Sequence, residues 1–566
     1  MKSKWSACLS LSVVFLAVAV PFSSAQVDAA RLKTLNARLQ QQLKTYNRFP
    51  ASLRMAMDGT SNAAHAAVAF KNMLPALSKP MSRPALASKV QAQMAAAAAA
   101  STSGVSTVSN SSTDLDLSGF AGFTQSETST AWCGDSVVVG FNDSGSFLQT
   151  LVFGTGGLSF SGAAVSTNRG ATFKDVGAMP PGANLNNFLE GDPQVGCTSP
   201  SNFYYAQLFA TSDSAGNPIS SLALSTSNDG GASWSDPVAA VNKDGFSHQI
   251  DKEWLSLDPS NPKRMYLSYT DFDFTFTDPA CPNDARTAIE VVSSGNGGAT
   301  WSAPTVIDTV CGFSDALQGS HVVVGSTGQI NIAWVHFTNF PIGARELRFT
   351  SYAHGKKPKG YTVVDGIVGG GDTFYLQGSF RDFLGLDMNV DRSGGPSDGT
   401  IYVTWDDGRD KSIPDIFGIS GAYSFDDVLM RFSTDKGATW GFAPIKVNSD
   451  AQPRIGYGHD HYQPGIAVDA TGKVAACWYD RRNDVANFGI ERFCGTSTNG
   501  FTWTNSKVAV PSFGPEHGID GLINSVYMGD YDGLASDYLK TNPGFIGAFE
   551  VMSAKANPDI KAFSFK

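Results

Sequence analysis

One eight-residue pattern, Ser-x-Asp/Asn-x-Gly-x-Thr/Ser-Trp/Phe, recurs along the chain and leaves few folds open to it. It stands at 166–173, 227–234, 294–301 and 433–440, and a fifth copy at 497–503 is one residue shorter. Each copy holds the parts of a tight turn. The Asp or Asn side chain can bond turn amides, Gly permits positive φ, and the aromatic packs beneath the hairpin. Such residues specify a fold and not a reaction. The anchors Phe173, Trp234, Trp301, Trp440 and Trp503 lie 61, 67, 139 and 63 residues apart, so the long interval holds two repeats with a degenerate turn near Ser351–Thr362.

A second pattern runs in phase with the first: a polar or acidic start, an alternating strand, a turn, and a second strand ending in an aromatic and often Asp. It begins at Glu127, Glu190, Asp251, Gln318, Arg381, Asp460 and Asp530, which makes seven copies. A period of about 65 residues divides 116–566 nearly seven times, and four strands per repeat is the pattern of a β-propeller. The expected fold is all-β: four-stranded blades, seven by this arithmetic with six as the alternative, and a short N-terminal helical extension. The last repeat lacks a turn box and the chain ends at Lys566, so a strand before Gln125 is expected to complete the final blade and remove an exposed edge.

The five boxes are similar to the Asp-box, or BNR, repeat of the sialidase-like propellers. The resemblance covers about 450 residues at the level of fold. It implies a glycoside hydrolase of exo-sialidase type with an arginine grip on a substrate carboxylate, a tyrosine nucleophile with a carboxylate partner, and an aspartic acid as general acid. On this chain it points to Tyr531 with Asp530 beside it, Glu253 as partner and Asp382 as a further catalytic carboxylate. Arg381, Arg409, Arg454, Arg481 and Arg482 are candidates for the grip, with Glu127, Asp192 and His461 also lining the substrate site. Sialidases carry a first-blade arginine in a Phe/Tyr-Arg-Ile-Pro motif, and the stretch around Glu127 has none. The competing expectation is a non-catalytic propeller serving as a binding or assembly module.

The ring reading does not depend on that resemblance. Inner strands of a propeller line one channel, so the residues that begin them converge at a mouth. Glu127, Asp192, Asp251, Glu253, Asp382, Asp460 and Asp530 would form an acidic ring with Lys252, Arg381, His321, His459, His461 and Tyr531. So many carboxylates together must raise some pKa values or recruit a cation. No cofactor is expected; His459 and His461 share a strand face without a third ligand fixed by sequence, and oxygen-rich Ca2+ binding suits the composition better than a transition metal. Cys477–Trp-Tyr-Asp480-Arg481-Arg482 and Trp405-Asp-Asp-Gly-Arg409 repeat by blade and read as Asp–Arg pairs bridging blades.

Residues 1–25 read as a secretory signal, with Lys2 and Lys4 before an apolar run from Ala7 to Val20 and small residues at 23–25. Residues 26–94 read as a helical extension, with Leu32, Leu35, Leu39 and Leu43 on one helical stripe, and 95–115 as an Ala/Ser-rich linker. The segment 26–115 has 10 basic and 3 acidic residues, a net of +7, against −19 for 116–566, so docking of one on the other is expected. The whole-chain charge of −10 argues against a nucleic-acid partner, and the resemblance implies a carbohydrate or glycoconjugate as partner. No stretch after the signal is apolar enough to span a membrane, and the protein is expected to be secreted or periplasmic. Six cysteines remain after the signal, and their register pairs Cys133 with Cys197, Cys281 with Cys311 and Cys477 with Cys494.

Overall fold

In the computed structural model, residues 29–47, 104–109 and 122 are described. From 124 to 566 all are described but 340–343, 370–374, 379, 383–384, 412–423, 452–457, 516–519, 521, 524–527 and 554–556. The signal segment, most of the helical extension and Arg454 fall outside them.

The strands form seven blades of four antiparallel strands around a central channel, and in blade two the short strand Leu158–Ser159 adds in parallel beside the inner strand. Blade one is built from Gln125–Cys133, Ser136–Asp143, Ser161–Ser166 and Lys174–Ala178. Blade two starts at Phe188–Cys197, blade three at His248–Leu257 and blade four at Ala316–Val324. Leu386–Val390, His461–Val468 and Leu534–Ser536 are the inner strands of blades five, six and seven. Burial follows this order. In blade three the second strand, Met265–Asp273, is buried at every residue, while the outermost, Thr305–Cys311, is half-buried or exposed throughout. Both faces of the inner strands of blades one to four and six are covered, so these carry near-continuous buried runs, whereas Leu386–Val390 of blade five alternates buried and half-buried residues and Leu534–Ser536 of blade seven is half-buried.

The ring closes with the strand expected before Gln125. Val105–Thr107 pairs antiparallel with Asn557–Phe565, Val105 opposite Phe563, as the outer strand of blade seven. These three residues lie inside the segment read as linker. The cysteines pair in the expected register: Cys133 with Cys197 across the inner strands of blades one and two, Cys281 with Cys311, and Cys477 with Cys494 on facing strands of blade six.

The repeated boxes lie between third and fourth strands and make one hydrogen-bonded turn. In blade two Ser227 Oγ lies 2.8 Å from Asp229 Oδ1, the Gly231 N–H donates to Ser227 Oγ (2.8 Å), and the Ser233 N–H donates to Asp229 Oδ1 (2.9 Å). Gly231 has φ 89°, and a Cβ there would stand 2.7 Å from Val138 and Val165 of blade one. Gly298, φ 85°, is likewise seated against Leu224 of blade two. The box glycine therefore answers two demands at once: a left-handed turn and contact with the preceding blade.

Helix α1 (Ala29–Tyr46) puts Leu32, Leu35 and Leu39 against Phe147, Leu148 and Leu151 of α2 (Ser144–Phe153), with Phe160, Phe188, Leu522 and Ile523 in the same buried cluster. The Arg31 guanidinium donates to the carbonyls of Thr150 (2.8 Å) and Leu151 in the last turn of α2 and of Gly156 (3.1 Å) just beyond it, where a cation complements the helix C-terminus. The N-terminal stripe thus docks on the propeller through apolar burial and one buried cation.

Gly298→Ala is expected to lower stability by about 2–4 kcal/mol, the sum of left-handed strain and overpacking against Leu224. Gly216 has φ 84° and open space within 4 Å of where a Cβ would stand, so Gly216→Ala should cost only about 1–2 kcal/mol. Urea denaturation followed by tryptophan fluorescence compares the two; equal losses would rule out the inter-blade contact as the cause.

Candidate functional site at the channel mouth

Five of the inner strands begin with a β-bulge at one register. The shifts fall at Ser126/Ser129, Gly191/Gln194, Asp251/Trp254, Gln318/His321 and Tyr462/Gly465. Inside these bulges φ is 50° at Glu127, 55° at Asp192, 50° at Lys252, 67° at Gly319 and 50° at Gln463. Glycine takes that conformation freely. Each of the other four holds it at a cost of order 1–3 kcal/mol, as bulges do where a side chain is re-aimed.

The side chains so aimed meet around Lys252. Its Nζ lies 3.0 Å from Glu127 Oε1, 3.4 Å from Asp192 Oδ2 and 2.8 Å from Asp530 Oδ2. Blades three and seven stand nearly opposite in a ring of seven, so the ammonium reaches across the channel axis. The Asp530 N–H donates to Glu127 Oε1 (3.0 Å), Arg381 Nη2 donates to Asp530 Oδ2 (3.2 Å), and the Gln463 amide donates to Gly529 O (2.5 Å). Asn142 ties the ring to blade one, donating to Glu127 Oε2 (2.9 Å) and accepting the Asp192 N–H (2.8 Å). Lys252 is the most exposed member of the group at 5%. The channel is plugged at this level.

The plug separates the protonation states of its carboxyls. Burial works against ionised Asp530, but Arg381 and Lys252 outweigh it and hold the group below the usual range. Burial, then Glu127, drives Asp192 well above that range. Burial and Asp251 do the same to Glu253, neither of whose carboxyl oxygens has a hydrogen-bond partner among the described residues. Burial opposes the Lys252 charge, yet Asp192, Asp530 and Glu127 raise its pKa further. The Tyr531 phenol is pushed up by burial, Glu127 and Asp192. Its ring lies 5.3 Å from Lys252 Nζ and edge-on to Trp254, which stacks on His321 at 3.6 Å.

A second carboxylate group belongs to blades four to six. Asp382, Asp406, Asp426 and Asp460 interact with one another and Arg345 faces the first three. Burial and then Asp406 drive Asp382 well above its ordinary value, and burial brings Asp406 to about 6. The remaining expected residues are placed apart from the plug. His461 is fully buried, its Nε2 3.0 Å from Asp450 and its Nδ1 2.9 Å from Asp426 O. Arg481, also fully buried, donates to the carbonyls of Gln377 (2.9 Å) and Asn487 (2.7 Å). Arg482 pairs with Asp480 (2.6 Å), which also accepts from Trp478 Nε1, and Arg409, Asp407 and Trp405 repeat the unit one blade earlier. Among the described residues no group of three His, Cys, Asp or Glu is arranged to hold a metal ion. Arg345, Asp406 and Asp426 were not singled out as site residues from the sequence; the Trp405-Asp406-Asp407 run was the nearest signal.

No protein-family profile and no curated protein matches the chain. Among solved structures it is similar to an α-L-arabinanase of Penicillium chrysogenum complexed with arabinobiose, at 11% identity and TM-score 0.42, covering 66% of this chain and 92% of that one. It is also similar to a Dyadobacter fermentans protein of unknown function (12%, TM-score 0.36, 81% and 98%) and to Trypanosoma rangeli sialidase (10%, TM-score 0.35, 66% and 53%). At these identities the likeness concerns the fold alone. The propeller expected from the repeats is the fold of the chain, with seven blades.

Lys252→Met is expected to cost about 3–5 kcal/mol at neutral pH, since it leaves the three carboxyls without their shared cation. Without the ammonium the folded carboxyls keep protons to higher pH than the unfolded ones do. The folded state then binds more protons, and stability falls as pH rises. Urea midpoints should therefore show a smaller loss at pH 5 than at pH 8, both pH values chosen about the carboxyl range; a loss independent of pH would refute the charge account.

Proposed function

We propose that the protein is an exported, carbohydrate-active propeller of glycoside-hydrolase type, working at the plugged mouth of its channel. What supports this reading is a divergence between two buried carboxyls that both feel Lys252: Arg381 and Lys252 hold Asp530 below the usual range, whereas burial and then Asp251 push Glu253 well above it. Acid and base assignments in one site follow such divergence. Glu253 is then the proton donor to the leaving oxygen, held up by burial and Asp251, and Asp530 the charge that stabilises or attacks the sugar carbon, held down by Arg381 and Lys252. Tyr531 holds its proton tightly, so the arrangement favours a two-carboxylate reaction over a tyrosine nucleophile. Asp382, pushed well above its ordinary value by burial and then Asp406, is a second acid available to the same mouth. Three disulfides are consistent with export, and no helix of the described residues is long and apolar enough to cross a membrane.

One observation favours a binding module instead: the plug is nearly inaccessible, with Glu253 2% and Asp530 3% exposed. A panel of fluorogenic arabinosides, sialosides and neutral glycosides separates the two. If the protein is a hydrolase, Glu253→Gln and Asp530→Asn should each lower kcat by about 10²–10⁴ while Tyr531→Phe costs less than about tenfold. Loss of all turnover in Tyr531→Phe would restore the tyrosine mechanism, and a folded protein inert on the whole panel would establish the module.

A further inference from the structure

Beneath the plug the channel widens into a cavity of about 190 Å³. Its wall is made by the residues that follow the ring along the inner strands: Thr128 and Thr130 of blade one, Gln194 of blade two, Trp254 of blade three, Asp387 and Asn389 of blade five. It extends to Cys197 and Lys540, at the end of the channel opposite the bulges.

Several of these groups are set for a ligand. Gln194 is 4% exposed; it lies beside the Tyr531 phenol, but its side-chain Nε2 meets no acceptor at full hydrogen-bond geometry among the described residues. A buried donor left in that state is costly and is relieved by an incoming oxygen. Asp387 is held in place, Oδ1 3.2 Å from His321 Nδ1 and Oδ2 accepting the Ile466 N–H (2.8 Å). Trp254 lines the cavity with one ring face stacked on His321, which fixes the indole as a platform. An aromatic platform, an amide and an oriented carboxylate form a set that recognises neighbouring hydroxyl groups, while the Thr128 and Thr130 hydroxyls are already bonded to the backbone of Ala548 and Gly533 and serve as wall. The volume lies below the 300–1,000 Å³ of sites for drug-sized ligands, which leaves room for about one ring.

We propose that this cavity binds a single neutral sugar ring, entered from the face opposite the bulges and separated from the mouth by the Lys252 plug. It is a second site, and it stands whether or not the mouth is catalytic.

The test is calorimetric titration of the full protein with arabinose, galactose and glucose, with intrinsic fluorescence read in parallel. One equivalent should bind with a Kd of about 0.1–10 mM. Gln194→Met, which keeps volume and removes the donor, should weaken binding at least tenfold, and Trp254→Phe should abolish the fluorescence change. Asp382→Asn, above the plug, should leave binding intact. Should Gln194→Met fail to fold, Trp254→Phe alone decides. No heat with any of the sugars at about 10 mM, or binding unchanged by both cavity variants, would overturn the proposal. Binding lost in Asp382→Asn but kept in Gln194→Met would assign the sugar to the mouth and overturn it as well.

Discussion

The Lys252 ammonium is the contact on which the centre of the molecule depends. A ring of seven blades leaves an axis that side chains must fill or leave to water. Here charge fills it: one ammonium spans the axis and carboxyls from three blades converge on it. Burying a lysine and three carboxyls is expensive, and an apolar plug of equal volume would be at least as stable. What the charged plug contributes is position. Each carboxyl is held to one point by a partner on another blade, and the four left-handed residues that aim Glu127, Asp192, Lys252 and Gln463 are tolerated because those contacts over-determine them.

The same bulge carries different chemistry in different blades. Blades one and two place carboxyls in it, blade three a lysine, blade six an amide and blade four glycine. The backbone device is constant, and side-chain identity alone decides the local field. On one side Lys252 and Arg381 keep Asp530 ionised. On the other, Asp382, Asp406 and Asp426 share Arg345 and take up protons instead. A single ring thus holds acids in both states a few residues apart in the fold.

Much of this architecture was legible in the sequence because it is repetitive. The box spacing gave the period, the period gave the blades, and Cys133 and Cys197, 64 residues apart, fell on equivalent strands. The closing strand was expected before Gln125, although Val105–Thr107 sits in a stretch whose Ser/Thr composition reads as linker. The convergence of Glu127, Asp192, Asp530 and Lys252 was legible as proximity. Its geometry was not, because a left-handed lysine or glutamate leaves no mark in a sequence as a glycine does. Arg345 begins a third strand with no motif around it. Arg481 resembles a ligand-gripping arginine by sequence, yet its Nη1 donates to the carbonyls of Gln377 and Asn487 inside the protein and stands 3.6 Å from Asp460 Oδ2.

The position of the helix α1 seat follows from the same geometry. The residue Asn142 that holds Glu127 is followed directly by Asp143, whose carboxylate caps the N-terminus of α2 by accepting the Gly145 N–H (2.9 Å). Ser144, the first residue of that helix, donates to Asp520 (2.6 Å), on the segment leading to Asp530. Arg31 of α1 occupies the other end of α2. Helix α1 therefore rests on the helix whose start is tied both to Asn142, the partner of Glu127, and to Asp520, on the segment leading to Asp530. Displacing α1 would uncover the apolar seat around Phe147 and Leu151 and free the carbonyls that Arg31 now satisfies. The disturbance would reach the mouth by two routes, through α2 and Asn142 and through Phe188 at the start of blade two's inner strand.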